Sequence, residues 1–218
     1  MKAPGLGRAA SFAVPLALSL SACQAPPLPP PAATVLPVVE NWRASARPAD
    51  IDRIARIEAA WDEALARARG RALAIRIAAA GAALDRSAAM PRAAPPPGSY
   101  RCRLSRLGAA PGVRAVQRFP AHFCHVGVEG ALLSFAKQTG SERMEGYLFA
   151  DSDSRMIFLG ARGGTEGRIP AYSVDETRDV AGIVERTGPL RYRIVIPWPR
   201  GGGTLEVIEL APIAPALD

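Results

Sequence analysis

The sequence predicts an α+β fold: an N-terminal helical hairpin followed by an antiparallel meander of eight or nine strands, barrel-like or strongly curved. Three observations predict it. Apolar residues recur at helical spacing up to about residue 90 and at a spacing of two beyond it. The segment from Met90 to Gly98, which holds four prolines, marks the change. Turn signals separate nearly all of the later apolar runs, and short connections between consecutive strands force antiparallel neighbours.

Residues 48–69 are expected to form the first helix. Pro48 suits its first position, Asp50 and Asp52 suit the positive N-terminal end, and Ile51, Ile54, Ile57, Trp61, Leu65 and Ala68 fall on one face. Arg67 and Arg69 stand near the other end, and Gly70 stops it. A second helix over 73–84 places Leu73, Ile77, Ala80 and Leu84 together, and the two are expected to pack as an antiparallel pair within residues 42–90.

Strands are expected over 99–107, 113–119, 122–128, 131–137, 142–149, 155–161, 180–187, 190–197 and 204–210, within a β domain spanning 91–213. In the strand holding Tyr192, Ile194, Ile196 and Trp198, one face is wholly apolar while Arg191 and Arg193 point the other way. A meander of this length should curl so that its edges pair. Residues 162–178 form the one long connection, polar and rich in glycine, where a lid or a partner contact is expected first.

The N-terminus carries a different signal. Lys2 and Arg8 form a positive region ahead of a short apolar stretch from Ala9 to Leu20, too short to span a bilayer. It ends in Leu20-Ser21-Ala22-Cys23, which resembles the bacterial lipobox. That resemblance implies that residues 1–22 are a lipoprotein signal peptide, that Cys23 is acylated, and that the product sits on a membrane without crossing it. Gln24 after the cysteine, in place of Asp, implies transfer to the outer membrane, facing the periplasm. Residues 23–41 then read as a proline-rich tether, semi-rigid and roughly 3 Å long per residue.

Composition excludes several classes. Of the 218 residues 49% are hydrophobic and 22% charged, which is the balance of a globular chain. The net charge of +7 comes almost wholly from arginine, since Lys2 and Lys137 are the only lysines, and the arginines are scattered. Nucleic-acid binding is therefore not expected. Once Cys23 is lipidated, Cys102 and Cys124 remain, and an even pair in an oxidising compartment predicts a disulfide. The alternative is a metal or catalytic cluster at His122-Phe123-Cys124-His125. In a strand, however, His122 and Cys124 share one face and His125 takes the other, so no metal site is expected. Nucleophile elbows, phosphate loops and dinucleotide fingerprints are absent, and no catalytic residue or cofactor is assigned. Arg101 and Arg103 flank Cys102, and with Arg118 on the next strand they form a candidate anion-binding surface.

The segments Pro48-Ala49-Asp50-Ile51-Asp52-Arg53, Ala60-Trp61-Asp62-Glu63-Ala64-Leu65, Tyr100-Arg101-Cys102-Arg103, Thr139-Gly140-Ser141, Ile157-Phe158-Leu159-Gly160, Val195-Ile196-Pro197-Trp198-Pro199 and Val207-Ile208-Glu209-Leu210 resemble a bacterial family known as domain of unknown function 4893. The likeness spans about residues 42–212 and implies no activity. The expected function is a non-catalytic envelope lipoprotein that binds a protein or cell-wall component. A lipocalin-like carrier of a small apolar ligand and an inhibitor of a periplasmic enzyme are the alternatives. An interior cavity of several hundred Å³ would favour the carrier; a filled interior with an exposed apolar patch would favour partner binding.

Overall fold

The structure, a computed structural model, describes residues 41–108, 114–200 and 202–213. The expected signal peptide, the Cys23 lipidation site and the tether through residue 40 lie outside the described residues. Eight antiparallel strands close into a barrel in sequence order: β1 (Gly98–Leu107), β2 (Val116–Glu129), β3 (Leu132–Lys137), β4 (Arg143–Ser152), β5 (Arg155–Gly163), β6 (Asp179–Gly188), β7 (Arg191–Pro197) and β8 (Leu205–Pro212). The barrel closes where β1 pairs with β8, Cys102 standing opposite Leu210 and Leu107 opposite Leu205. With so much of the body in strands the class is mainly β rather than α+β.

The two strands expected at 113–119 and 122–128 are one strand, β2. The gap expected between them holds Pro120, which cannot donate to a ladder. The register against β1 instead slips between Arg103 and Ser105, whose partners are Ala121 and Arg118. Pro120 thus falls within an irregularity of the ladder, where its missing N–H costs little, and the strand runs on through it.

Among the described residues four short helices precede the barrel: α1 (Trp42–Ser45), α2 (Pro48–Ala55), α3 (Ile57–Arg67) and α4 (Arg71–Ala78). Turns of 3₁₀ helix follow at Gly81–Ala83 and Arg86–Ala88. The single helix expected over 48–69 is broken at Arg56 (φ −98°, ψ 21°), which lets α2 lie against β6 while α3 turns onto β1, β7 and β8. Gly70, at φ 111°, separates α3 from α4. The second helix stops short of the expected Leu84 for a specific reason. Carbonyls of Ala82, Ala83, Asp85 and Arg86 accept hydrogen bonds from the Arg193 guanidinium of β7, which holds this stretch against the barrel wall. These helices find their partners on the barrel, in place of the expected helical hairpin.

Side-chain alternation sorts the strands into two cores. Inside the barrel lie Tyr100, Cys102, Cys124, Phe135, Phe158, Tyr192 and their neighbours. Outside, Ile157, Leu159, Ile183, Val195 and Val207 of the barrel pack against Trp42, Ile54, Ile57 and Trp61 of the helices. Among the described residues the two clusters run from Trp42 to Leu210. Burying such a set of side chains, at about 1.5–3 kcal/mol each, is the main force for folding.

The interior is filled rather than hollow. The rings of Phe135 and Phe158 meet edge to face at 5.6 Å and those of Tyr100 and Tyr192 at 6.4 Å, and the Cys102–Cys124 disulfide lies fully buried among them. At one end the proline-rich stretch after Met90 folds under the barrel. Ala93 and Pro95 are buried, the Ala93 N–H bonds to the Asp153 carbonyl at 3.0 Å, and the Tyr100 hydroxyl donates to the Pro96 carbonyl at 2.6 Å. Burial pushes the Tyr100 phenol up to about 12.

Candidate functional site

The end of the barrel opposite the proline plug is closed by charge. Arg106 on β1, Glu206 on β8, Arg162 on β5 and Glu142 just before β4 form a four-cornered ion network in which each arginine bridges both carboxylates. Arg106 Nε lies 2.7 Å from Glu206 Oε1, and its other arm reaches Glu142 Oε1 at 2.5 Å. The Glu206 carboxylate is fully buried. Burial opposes the Arg106 charge, but the hydrogen bonds from Glu206 and Glu142 outweigh it and hold the guanidinium above its ordinary value.

Lys137 joins the same end from β3. Its ammonium donates to two backbone carbonyls, those of Thr139 at 3.0 Å and Glu142 at 2.8 Å. Burial, first of all, depresses it, and the carboxylate of Glu142 offsets part of that. His122 stands beside it, lowered by burial and by the Lys137 charge. Gly140 is required here, because a Cβ would lie 2.8 Å from the His122 ring. The strand pattern held the signal for Lys137: in Leu132-Leu133-Ser134-Phe135-Ala136-Lys137 it shares parity with Leu133 and Phe135, which face inward. Glu206 likewise shares parity with Ile208 and Leu210.

The space left among Leu104, Phe119, His122, Lys137, Ser141 and Glu142 is about 50 Å³. That holds a water or two, whereas ligand pockets run to about 300–1,000 Å³. The polar groups of this mouth satisfy one another, so its chemistry is that of a stopper.

A larger groove of about 260 Å³ lies outside the barrel, under the long connection that follows β5. Ser134, Ala136 and Leu159 form its floor, Arg168 and Tyr172 its upper wall, and Glu129 and Glu145 bring carboxylates to its edge. The Tyr147 hydroxyl donates to Glu129 Oε2 at 2.8 Å, which raises the phenol above its usual range. The connection itself is fastened. The Tyr172 hydroxyl donates to Asp50 Oδ2 at 2.5 Å and accepts from the Arg47 N–H at 2.9 Å, while the Arg47 side chain reaches Asp179 Oδ2 and the Ser173 carbonyl. Ile169 is buried below it. The stretch is a fixed wall, not a lid.

The residues singled out in the sequence distribute as follows. Cys102 and Cys124 form a disulfide across adjacent strands β1 and β2, not the first and third, because the two strands expected between Leu107 and Glu129 are one. Arg101 and Arg103 point outward, as the inward-facing Cys102 requires, and Arg101 stands opposite the exposed Phe123 of β2. Arg103 donates to the Phe119 carbonyl at 3.3 Å. Arg118 is partly engaged, with Glu209 and the Ala79 carbonyl each at 3.3 Å, so the three do not form one free stripe. His125 is exposed and lies on the face opposite Cys124. Among the described residues no cluster of three or more histidine, cysteine or acidic side chains is placed to hold a metal ion. No helix among them is long and apolar enough to cross a membrane.

A family model described as a domain of unknown function, DUF4893, matches residues 42–210, which is the whole of the helical segment and nearly all of the barrel. No curated protein and no solved structure matches the chain.

Proposed function

Since the chain belongs to the DUF4893 family, for which no activity is given, we propose from its own residues that it is a non-catalytic bacterial envelope lipoprotein whose barrel wall binds a protein or cell-wall component. The observation that carries this reading is where the surface is left open. The interior is filled and stopped at both ends, which argues against a carrier, and the helices pack on the outer sides of β1 and β6–β8, with α4 also reaching β2 and α1 reaching β4. The outer faces of β2 and β4 keep Phe123 and Tyr147 half exposed, and Tyr147 lines the groove edged by Glu129, Glu145 and Arg168. Recognition therefore falls on the outside, with aromatic anchors beside charged groups of both signs. Acylation of Cys23 and residence on the periplasmic side of the outer membrane complete the proposal, supported by the Leu20-Ser21-Ala22-Cys23 sequence and by the disulfide, which needs an oxidising compartment.

Two measurements test it. Labelled palmitate should enter the wild-type chain and not the Cys23→Ser variant; incorporation that persists in the variant sinks the anchor. A photo-cross-linker replacing Tyr147 should capture one envelope component in intact cells, whereas the same group at exposed Leu190, beyond the plugged end, should not. Equal capture at both positions would remove the binding face.

A further inference from the structure

None of the eight residues of α4 is buried. Six of them are apolar, namely Ala72, Leu73, Ala74, Ile75, Ile77 and Ala78, and Ile75 is 60% exposed. A helix this short is marginal in water unless its apolar face is covered. The two flanks of α4 differ in kind. On one side a crevice of about 420 Å³ opens toward β2, with the guanidinium-bearing Arg76, Arg114 and Arg118 on its walls beside Ala79, Val116 and Phe119, and no carboxylate lines it. Arg118 is held by Glu209 and the Ala79 carbonyl. Among the described residues Arg76 and Arg114 have no ion-pair partner. On the other side lies an open, mainly apolar hollow of about 710 Å³ lined by Leu65, Ala68, Ala74, Ile77 and Leu84, with Arg69, Asp85 and Arg86 also on its walls.

A cationic crevice, an exposed apolar ridge and an apolar hollow, side by side, match the layers of a lipid surface. Planar guanidinium groups bind phosphate oxygens in pairs, and an apolar helix face enters the boundary between headgroups and acyl chains. A nucleic acid would have no use for the ridge, and a purely apolar protein partner no use for the arginines. We propose that α4 and the crevice beside it form a docking surface for an anionic phospholipid bilayer, with Arg76 and Arg114 on headgroup phosphates and Ile75 in the interface. This deepens the envelope reading and rests on it for the presence of a bilayer. The surface would hold the body against the membrane and fix which side of the barrel faces away from it.

The test uses the mature chain, residues 23–218 with Cys23→Ser, which retains every residue of both cores. It is sedimented with vesicles of phosphatidylcholine alone and with vesicles that are one-third phosphatidylglycerol. Binding is expected to the anionic vesicles and not to the neutral ones. Each cation near such a surface is worth roughly a fivefold change in partitioning, so Arg76→Glu/Arg114→Glu should weaken binding at least tenfold. Ile75→Glu should do the same, and Arg92→Glu, which alters net charge by the same amount in the proline-rich stretch at the far end of the barrel, should stay within about twofold. All these positions are exposed, and far-ultraviolet circular dichroism confirms that each variant is folded. Equal binding to both vesicle types, an equal loss in Arg92→Glu, or saturable binding of inorganic phosphate without vesicle binding would each overturn the docking surface. Palmitate labelling of Cys23 is read separately: vesicle binding that fails while labelling succeeds removes this surface and leaves the anchored lipoprotein standing.

Discussion

Replacing Arg193 by Met removes the clamp between barrel and helical segment. Arg193 lies on the outer face of β7, fully buried, with Trp61 of α3 5.4 Å from its guanidinium carbon. Its Nε and one terminal nitrogen reach Glu185 Oε2 at 2.8 and 2.7 Å, and its remaining donors serve four consecutive-turn carbonyls between Ala82 and Arg86, that of Asp85 at 2.5 Å. Met fills much of the same volume and supplies none of these donors. Breaking one side of a buried ion pair costs about 3–5 kcal/mol, and each buried carbonyl left without a donor adds up to about 1–3 kcal/mol where water cannot reach it. The expected loss is therefore at least about 3 kcal/mol, a large share of the roughly 5–15 kcal/mol by which a domain is stable. At about 2–4 °C per kcal/mol for a chain of this size, the melting temperature should fall by about 10 °C. Urea titration followed by tryptophan fluorescence measures it. Glu185→Leu should be costly by itself, and the double variant should lose clearly less than the two single losses added, because neither charge is then stranded. A loss below about 1 kcal/mol for Arg193→Met, or strict additivity in the double variant, would refute the clamp.

Other outcomes follow from the same geometry. Glu206→Gln should cost about 3 kcal/mol in urea titration, because it leaves Arg106 and Arg162 facing each other with only Glu142 between them, and Glu142→Gln, whose side chain is 35% exposed, should cost less. Cys102→Ala/Cys124→Ala should cost about 3 kcal/mol for a bridge spanning 22 positions, and dithiothreitol should reproduce the loss in the wild type but not in the variant. His122 is depressed in the native state below the ordinary 6.5, so the unfolded chain takes up its proton first as the solution is acidified. Its contribution to stability is thus present above about pH 6.5 and lost as pH falls below it, and melting temperatures at pH 7.5 and pH 5 should lie closer together in His122→Gln than in the wild type.

How much of this was written in the linear chain depends on which rule each residue obeyed. Strand alternation is a property of the backbone, so the inward set of Tyr192, Ile194 and Ile196 could be read directly, while the bridge of Cys102 to Cys124 was expected from cysteine count and compartment. The same alternation put Arg193 outward but could not say what lay outside. It is covered by residues more than 100 positions earlier in the chain, and only the packing of α3 and the following turns makes an outward arginine a buried one. The continuity of β2 through Pro120 was missed because a ladder irregularity between two strands is invisible to a one-dimensional pattern. Lys137, Arg106, Arg162 and Glu206 broke the apolar pattern near strand ends, where charged residues usually meet solvent; their mutual neutralisation depends on four strands meeting at one mouth. The helices were legible as helices, but their partners were not, since an amphipathic stripe says that a face is buried and not against what.

The seam between β1 and β8 has a consequence in time. Ribosomal synthesis delivers Gly98–Leu107 long before Leu205–Pro212, and until the latter arrives the sheet has two bare borders and cannot become a cylinder. Loss of the final eight-residue strand, by a premature stop or by clipping, would leave a sheet that invites neighbours instead of a finished wall.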